Sequence, residues 1–467
     1  MKVAIIGAGK LGFKLAESLT GRGIDVLLMD SNQTVIDKIN EHLDVLTVKA
    51  NGLEVQGLKS IDINTYDFVV ACTGNDEINT IVCTLAKNLG CKKTIARIRN
   101  PEYMEQLDSF KKHLGMDYIV NPDLATANEI VRYLSKRYKF YSGDYAGGEV
   151  QLIDFPVLFV KEFIGKKIMD LENLNGLLIT AIMRDGETIV PNGMTVLEED
   201  DFLYIIGKSE SIDSFVGRYK LNVSDKQVKR VMIMGGGKLG YYIAKQMMSL
   251  DLSVRIIEQN EARCHYLSEK LDKRVLVIKG DGTDLTLLEE EDMASMDAFI
   301  GATGFDEQNL LMSLMAKQEG VNKIIAKFSR PGYEQLIDKL GIDFAINPVN
   351  VTAGQILKII RGGKIVSVSV LLGGQAEVTE VIVDESMPIV GKKLADLGLS
   401  KGIIIGAIVR DKEILVPNGQ SVIQAGNRII IFCLTSDLSK LDVFLKSNAG
   451  GRFHELRNRY KGFGKTL

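Results

Sequence analysis

The chain repeats itself, and that limits its fold more than any other feature. Gly7-Ala8-Gly9-Lys10-Leu11-Gly12 returns as Gly235-Gly236-Gly237-Lys238-Leu239-Gly240, 228 positions on (235 minus 7), and at the same offset Asp30 is answered by Glu258. Other blocks keep step: Gly74-Asn75-Asp76-Glu77-Ile78-Asn79 with Gly304-Phe305-Asp306-Glu307-Gln308-Asn309, and Ala96-Arg97 through Tyr103 with Ala326-Lys327 through Tyr333. Further on, Ala181-Ile182-Met183-Arg184-Asp185 and Val190-Pro191-Asn192-Gly193 recur as Ala407-Ile408-Val409-Arg410-Asp411 and Val416-Pro417-Asn418-Gly419, at an offset of 226 (407 minus 181). Matches over several spaced blocks mark a duplicated unit, so the two halves share one fold.

Each half opens as a βαβ unit of the dinucleotide-binding kind. An apolar strand (Val3 to Ile6) runs into the glycine turn, a helical segment follows to Thr20, and a second strand (Val26 to Met29) ends on Asp30. Gly7 permits the tight turn, Gly9 lets the backbone approach a pyrophosphate, and Gly12 lets helix and strand pack closely. Phosphate is then expected on the free N–H groups at the helix start. Asp30 lies 18 residues beyond Gly12 (30 minus 12), near the spacing at which an acid accepts hydrogen bonds from ribose hydroxyls.

Strand patterns continue at Leu46–Lys49, Phe68–Ala71, Thr94–Ala96 and Tyr118–Val120, separated by helical patterns such as Ile78–Leu89 and Glu102–Leu114. Six strands alternating with helices make a Rossmann domain over residues 1–124. A helical connector from Ala125 to about Arg137 leads to a small α+β module over 140–222, with strands Leu177–Met183 and Phe202–Ile206 and turns at Asp185-Gly186 and Pro191-Asn192-Gly193. The second copies occupy 228–350 and 366–447. The expected fold class is α/β: two Rossmann-like domains, each followed by a small α+β module.

With a net charge of −3 over 467 residues there is no overall basic field, which argues against a nucleic-acid partner. The five cysteines (Cys72, Cys83, Cys91, Cys264, Cys433) form no C-x-x-C pair and suit a reducing cytoplasm. Apolar runs such as Ile429–Leu434 fall far short of the ~18 residues that span a bilayer. Any membrane association is therefore expected through a partner.

Chemistry for turnover is missing. His42, His113, His265 and His454 belong to no Ser/His/Asp or H-E-x-x-H arrangement, and Lys166, Lys167, Lys392 and Lys393 read as solvated turn residues. A dehydrogenase needs an acid or base beside the nicotinamide and a substrate domain facing it. Binding without turnover is the reading, against two rivals: an NAD-dependent oxidoreductase, and a scaffold whose sites are vestigial.

Two glycine turns with terminal acids, each followed by a small module carrying a D-x-x-x-x-V-P-N-G turn, resemble the RCK domain family in its tandem form (RCK_N plus RCK_C, twice) over residues 1 to about 447. The resemblance implies a non-enzymatic regulator, cytoplasmic and peripheral on the inner face of the cell membrane. It implies binding of NAD(H) or of adenine nucleotides such as ATP and ADP. It also implies a homo-oligomeric ring, a tetramer being the expected form, docked under a Trk-type potassium-translocating membrane subunit. Carried over by motif, the first site comprises Gly7, Ala8, Gly9, Lys10, Leu11, Asp30, Thr73, Gly74 and Arg97. The second comprises Gly235, Gly236, Gly237, Lys238, Leu239, Glu258 and Thr303, with Asp281 as a further candidate.

The copies differ in places. Gly280-Asp281 stands where the first half has Ala50-Asn51, and residues 448–467 form a basic extension, read either as disordered or as a contact with the membrane subunit. After the fifth strand the first copy offers Arg97 and Arg99 where the second has Lys327 and Ser329 (offset 230, 327 minus 97). Two guanidinium forks would favour the additional charge of ATP in the first site. Alternatively Arg99 faces solvent or a neighbouring subunit, and Arg330 makes up the deficit in the second.

Overall fold

The computed structural model describes residues 1–20, 24–106, 113–135, 143–172, 174, 176–221, 228–250, 252–333, 337, 340–361, 365–371, 375–410 and 413–445. The basic extension, part of the Glu102–Leu114 helical pattern and the end of the first connector lie outside the described residues.

The first sheet contains β1 (Lys2–Ile6), β2 (Asp25–Asp30), β3 (Leu46–Lys49), β4 (Phe68–Ala71), β5 (Lys93–Arg97) and β6 (Tyr118–Val120), all parallel in the order β3-β2-β1-β4-β5-β6. Its central strands are apolar throughout because helices cover both faces; Val3, Ala4, Ile5, Val69 and Val70 are fully buried. The first small module is a sheet of β7 (Gly143–Tyr145), β8 (Val150–Pro156), β9 (Leu177–Arg184), β10 (Glu187–Ile189) and β11 (Phe202–Lys208), antiparallel in the order β10-β9-β11-β8-β7.

The second half repeats both. β12 (Arg230–Met234), β13 (Ser253–Glu258), β14 (Val275–Lys279), β15 (Ala298–Gly301), β16 (Lys323–Lys327) and β17 (Phe344–Ile346) are ordered β14-β13-β12-β15-β16-β17. β18 (Ile365–Leu371), β19 (Ala376–Ile382), β20 (Ile403–Arg410), β21 (Glu413–Leu415) and β22 (Arg428–Leu434) are ordered β18-β19-β22-β20-β21. Register shifts fall at corresponding places, between Tyr204 and Ile205 in one module and between Ile405 and Ala407 in the other.

The halves interlock. The connector helix Pro122–Ser135 packs against Lys238–Met247, the helix that follows the second glycine turn, while the connector Pro348–Arg361 packs against Lys10–Leu19, the helix that follows the first. The two connectors also touch each other. Ala127, Ile130, Tyr133 and Leu134 thus share a core with Tyr241, Tyr242 and Met247, and Ile356, Leu357 and Ile360 share one with Leu11, Leu15 and Leu19. The small sheets meet face to face, with Leu152, Tyr204 and Ile206 against Val378, Ala407 and Phe432. Gly406 sits where a Cβ would stand 2.9 Å from Ile206, so glycine lets the sheets approach.

One buried cation ties a connector to the domain it covers. Lys323, 6% exposed at the start of β16, donates through Nζ to the carbonyls of Tyr133 (3.2 Å) and Leu134 (3.3 Å) at the C-terminal end of the first connector. Its ammonium lies 4.9 Å from the centroid of the Tyr133 ring, which stacks on Phe344. Burial pushes this lysine from its ordinary 10.5 down to about 8, against the pull of Asp343. A lysine that deprotonates earlier in the folded than in the unfolded chain binds fewer protons between those two values, so its contribution to stability rises with pH from about 8 to 10.5. Lys323→Met should abolish that rise: the difference in urea-unfolding free energy should shift toward the wild type across this window by up to about 3 kcal/mol. A difference that does not change with pH would reject the assignment.

Candidate nucleotide sites in the interlobe cleft

Both glycine turns lie at the C-terminal ends of the central strands, where strand order reverses between β1 and β4 and between β12 and β15. Such switch points leave a crevice outside the sheet. Gly7 and Gly235 adopt φ of 107° and 109°, a region that favours glycine, and donate their N–H groups to Met29 (2.8 Å) and Ile257 (2.9 Å). Gly9 and Gly237 cap the following helices with extended backbone, and a Cβ on either would meet nothing within 4 Å. That open side is the cradle the pyrophosphate reading requires. A Cβ at Gly12 or Gly240 would strike the carbonyl of Gly7 or Gly235 at 2.0 or 2.1 Å, which is the close helix packing expected of the third glycine. The side chains of Leu11 and Leu239 point into the cores and leave only their backbone N–H groups for a ligand.

The acids close the turns on themselves. Asp30 accepts from the N–H of Ala8 through Oδ2 (2.8 Å) and of Asn32 through Oδ1 (2.9 Å). Glu258 accepts from Gly236 (2.9 Å) and Asn260 (2.8 Å) in the same manner. Each carboxylate oxygen has a second lone pair, so both acids retain acceptor capacity for hydroxyls. A side chain at position 236 would be crowded by two neighbours. A Cβ there would stand 3.0 Å from Glu258 Cβ and 2.5 Å from Leu267 Cδ1. Ala8 with Asp30, and Gly236 with Glu258, are matched pairs in hydrogen bonding, and Leu267 is the nearest obstacle to a side chain at 236.

The rear wall is a second repeated network. Thr73 donates through N (2.8 Å) and Oγ1 (2.7 Å) to Asn79 Oδ1, and Asn79 donates back to the carbonyl of Arg97 (2.8 Å). Thr303, Asn309 and Lys327 make the same three contacts. Arg97 Nη1 and Lys327 Nζ each donate to the threonine carbonyl, at 2.9 and 2.6 Å. Burial lowers both pKa values, and Arg97 Nε is buried with no partner among the described residues. Gly74 and Gly304 face open space. These open, donor-rich walls fit a nucleotide.

Arg99 does not present a phosphate fork. Both of its arms go to the buried Asp123, Nε to Oδ2 at 2.7 Å and Nη2 to Oδ1 at 3.1 Å, and the pair raises the arginine's pKa. Its side chain is still 36% exposed, in contact with solvent beside the ion pair. Arg330 is likewise committed, to Glu307 and Tyr333. Asp281 caps its own turn through Thr283, as Asn51 does through Leu53, so the two residues play one local role.

Sequence reasoning missed that the two sites face each other. Lys238, in the second glycine turn, places Nζ 3.6 Å from Asp76 of the first Rossmann domain. After burial and the opposing pull of Asp306 and Asp123, the charges of Arg99 and Lys10 also act on Lys327, which puts first-half cations within reach of the second site. Asp76 and Asp306 are themselves buried, each accepting the two N–H groups of the turn after the fifth strand.

The TrkA-N domain model matches residues 3–122 and 231–348, and the TrkA-C domain model matches 152–217 and 378–446. The chain is 34% identical to Trk system potassium uptake protein TrkA homolog 1 of Methanosarcina mazei, over 96% of this chain and 100% of that protein. The chain belongs to the TrkA family. Trk system potassium uptake protein TrkA of Haemophilus influenzae, another member, is 31% identical over 92% of this chain and 95% of its own length. Among solved structures the GsuK RCK domain shares the fold, with a TM-score of 0.55 at 20% identity over 95% of this chain and 94% of that one. The GsuK channel bound to NAD has a TM-score of 0.55 at 19% identity, over 95% of this chain and 78% of that one.

The matched pairs give a direct test within this TrkA-type chain. Gly236→Ala should lower stability by about 1–3 kcal/mol by urea unfolding, the range for overpacking. The reverse change, Ala8→Gly, should cost less than about 1 kcal/mol. Equal effects would mean that Leu267 and Glu258 do not exclude a side chain at 236.

Proposed function

We propose that the chain is a non-enzymatic, nucleotide-binding regulatory subunit of a Trk-type potassium uptake system. In this reading adenine nucleotides, NAD(H) foremost and ATP or ADP as rivals, occupy both glycine turns, and the resulting change in the interlobe cleft gates a potassium-translocating membrane subunit. The observation that carries it is the pairing of two complete glycine-turn-and-acid sites across one cleft, with Lys238 reaching from one turn to the opposite domain. Phosphate on the second turn competes with Asp76 for Lys238, so binding alters a contact between domains. A ligand moves such an equilibrium only by its differential affinity for the two states. The names of the relatives support the potassium system, and NAD in the GsuK channel is a precedent for that ligand on this fold.

One further point supports binding without turnover. Several ionised groups beside the turns are engaged with backbone or with each other: Asp76 and Asp306 with N–H groups, and Arg99 with Asp123. Among the described residues no cluster of His, Cys, Asp or Glu could hold a metal, and no helix is long and apolar enough to cross a membrane. The proposed location is the inner face of the membrane, reached through the partner, as a ring-forming homotetramer.

NADH should bind more tightly than NADPH. A 2′-phosphate would meet Asp30 or Glu258, whereas the hydroxyl donates to the same oxygens. Calorimetry on Asp30→Ala and Glu258→Ala, made separately, isolates each site. Equal NADH and NADPH affinities in both would reject the ribose assignment, and steady consumption of NADH with a small substrate would favour the oxidoreductase. With Arg99 committed to Asp123, the two sites should also differ little in their preference for ATP over NADH, and a strong preference in the Glu258→Ala protein would restore a role for Arg99. Light scattering should give a tetramer, and a stable monomer of 51.5 kDa would remove the ring.

A further inference from the structure

The second glycine turn carries a brace that the first lacks. Arg263 lies in the first turn of the helix Glu261–Lys270, its backbone N–H held by the capping Asn260 at 2.9 Å. Its guanidinium reaches back to the glycine turn, Nε donating to the carbonyl of Gly236 at 2.6 Å and Nη2 to that of Gly237 at 3.1 Å. One face of the group covers the Tyr266 ring, 4.4 Å from its centroid. The position corresponds to Val35 in the first half (263 minus 228), which has no donor and packs against the apolar core.

Those carbonyls belong to the peptide planes that carry the N–H groups of Gly237 and Lys238, the donors that face a pyrophosphate on the open side of the turn. Fixing the carbonyl fixes the plane, and the plane aims the N–H. The second turn needs this more than the first. Its Gly235-Gly236-Gly237 run has an additional glycine where the first has Ala8, at a position where a Cβ would stand 2.5 Å from Leu267 and 3.0 Å from Glu258. A three-glycine turn has more backbone freedom to lose on binding. Two hydrogen bonds from a charged, planar donor hold both planes at once, which a lysine's single ammonium does less well.

We propose that Arg263 is a positioning residue for the second site. It presets the turn for phosphate without touching the ligand, and it makes the second site the better organised of the two. The inference rests on the nucleotide-binding reading above. Preorganisation of this kind acts on affinity and leaves selectivity among ligands alone.

The test uses the full chain in the Asp30→Ala background, titrated calorimetrically with NADH, NADPH and ADP. Arg263→Leu should weaken all three by a similar factor, about tenfold, and Arg263→Lys should recover part of the loss. Hydrogen exchange without nucleotide at the amide of Gly236, which donates to Glu258, should quicken in Arg263→Leu, while the melting temperature without nucleotide stays close to that of the parent. Three results would overturn the proposal: undiminished affinity in Arg263→Leu; a loss confined to NADPH, which would make Arg263 a direct contact to ligand phosphate; or a fall in melting temperature without ligand that matches the loss with ligand. If the Asp30→Ala parent binds none of the three nucleotides, the second-site reading falls, and the proposal with it. If the parent binds and Arg263→Leu binds equally well, only the proposal falls.

Discussion

The helix Pro122–Ser135 ends the first Rossmann domain and buries Ile130, Tyr133 and Leu134 on the second, while Pro348–Arg361 makes the reciprocal crossing onto Leu15 and Leu19. Burial of a large apolar side chain contributes about 1.5–3 kcal/mol, so a handful of such residues on each connector outweighs any surface ion pair in the chain. The rest of the arrangement depends on this exchange. It sets the two Rossmann domains against each other, brings the small sheets face to face, and carries Lys238 of the second glycine turn to Asp76 of the opposite domain. Lys323, buried against the carbonyls at the end of the first connector, fastens the same junction with a charge whose protonation is sensitive to its burial.

Within each domain the site is built by short-range geometry. The acid at the end of the second strand accepts the N–H of the second residue of the glycine turn, so strand, turn and helix start are locked before any ligand arrives. Leu267 Cδ1 and the carboxylate side chain of Glu258 crowd position 236, where glycine replaces the Ala8 of the first half, and the three-glycine turn is the one Arg263 braces.

The parallel sheets and glycine turns were legible in the sequence because their signals are local. Glycine spacing, apolar strands and a terminal acid all lie within one βαβ unit, and β4 (Phe68–Ala71) and β6 (Tyr118–Val120) fall on their expected residues. The crossing of the connectors was not legible, since an apolar helix face does not say which domain it covers. Arg99 was misjudged because two arginines after a strand look like a fork for phosphate. Its partner Asp123 lies beyond the next strand, and only the tertiary fold brings them to 2.7 Å. Arg263 was missed because comparison of the halves selects what they share. Asn79 and Asn309 were visible as repeated residues, but their role in binding the threonine to the fifth strand needed the structure.

The reciprocal connectors also bear on how such a chain came to be tolerant of change. In two separate copies of one half, each site would be encoded by the same residues, and association would depend on concentration. Joined in tandem, the halves meet at an effective concentration fixed by the chain itself. Each turn is then free to acquire its own acid, its own small residue and its own brace. The matched pairs Ala8–Asp30 and Gly236–Glu258 record that independence: a pseudo-symmetric frame whose two chambers have drifted apart in chemistry while the helices between them have kept a common handshake.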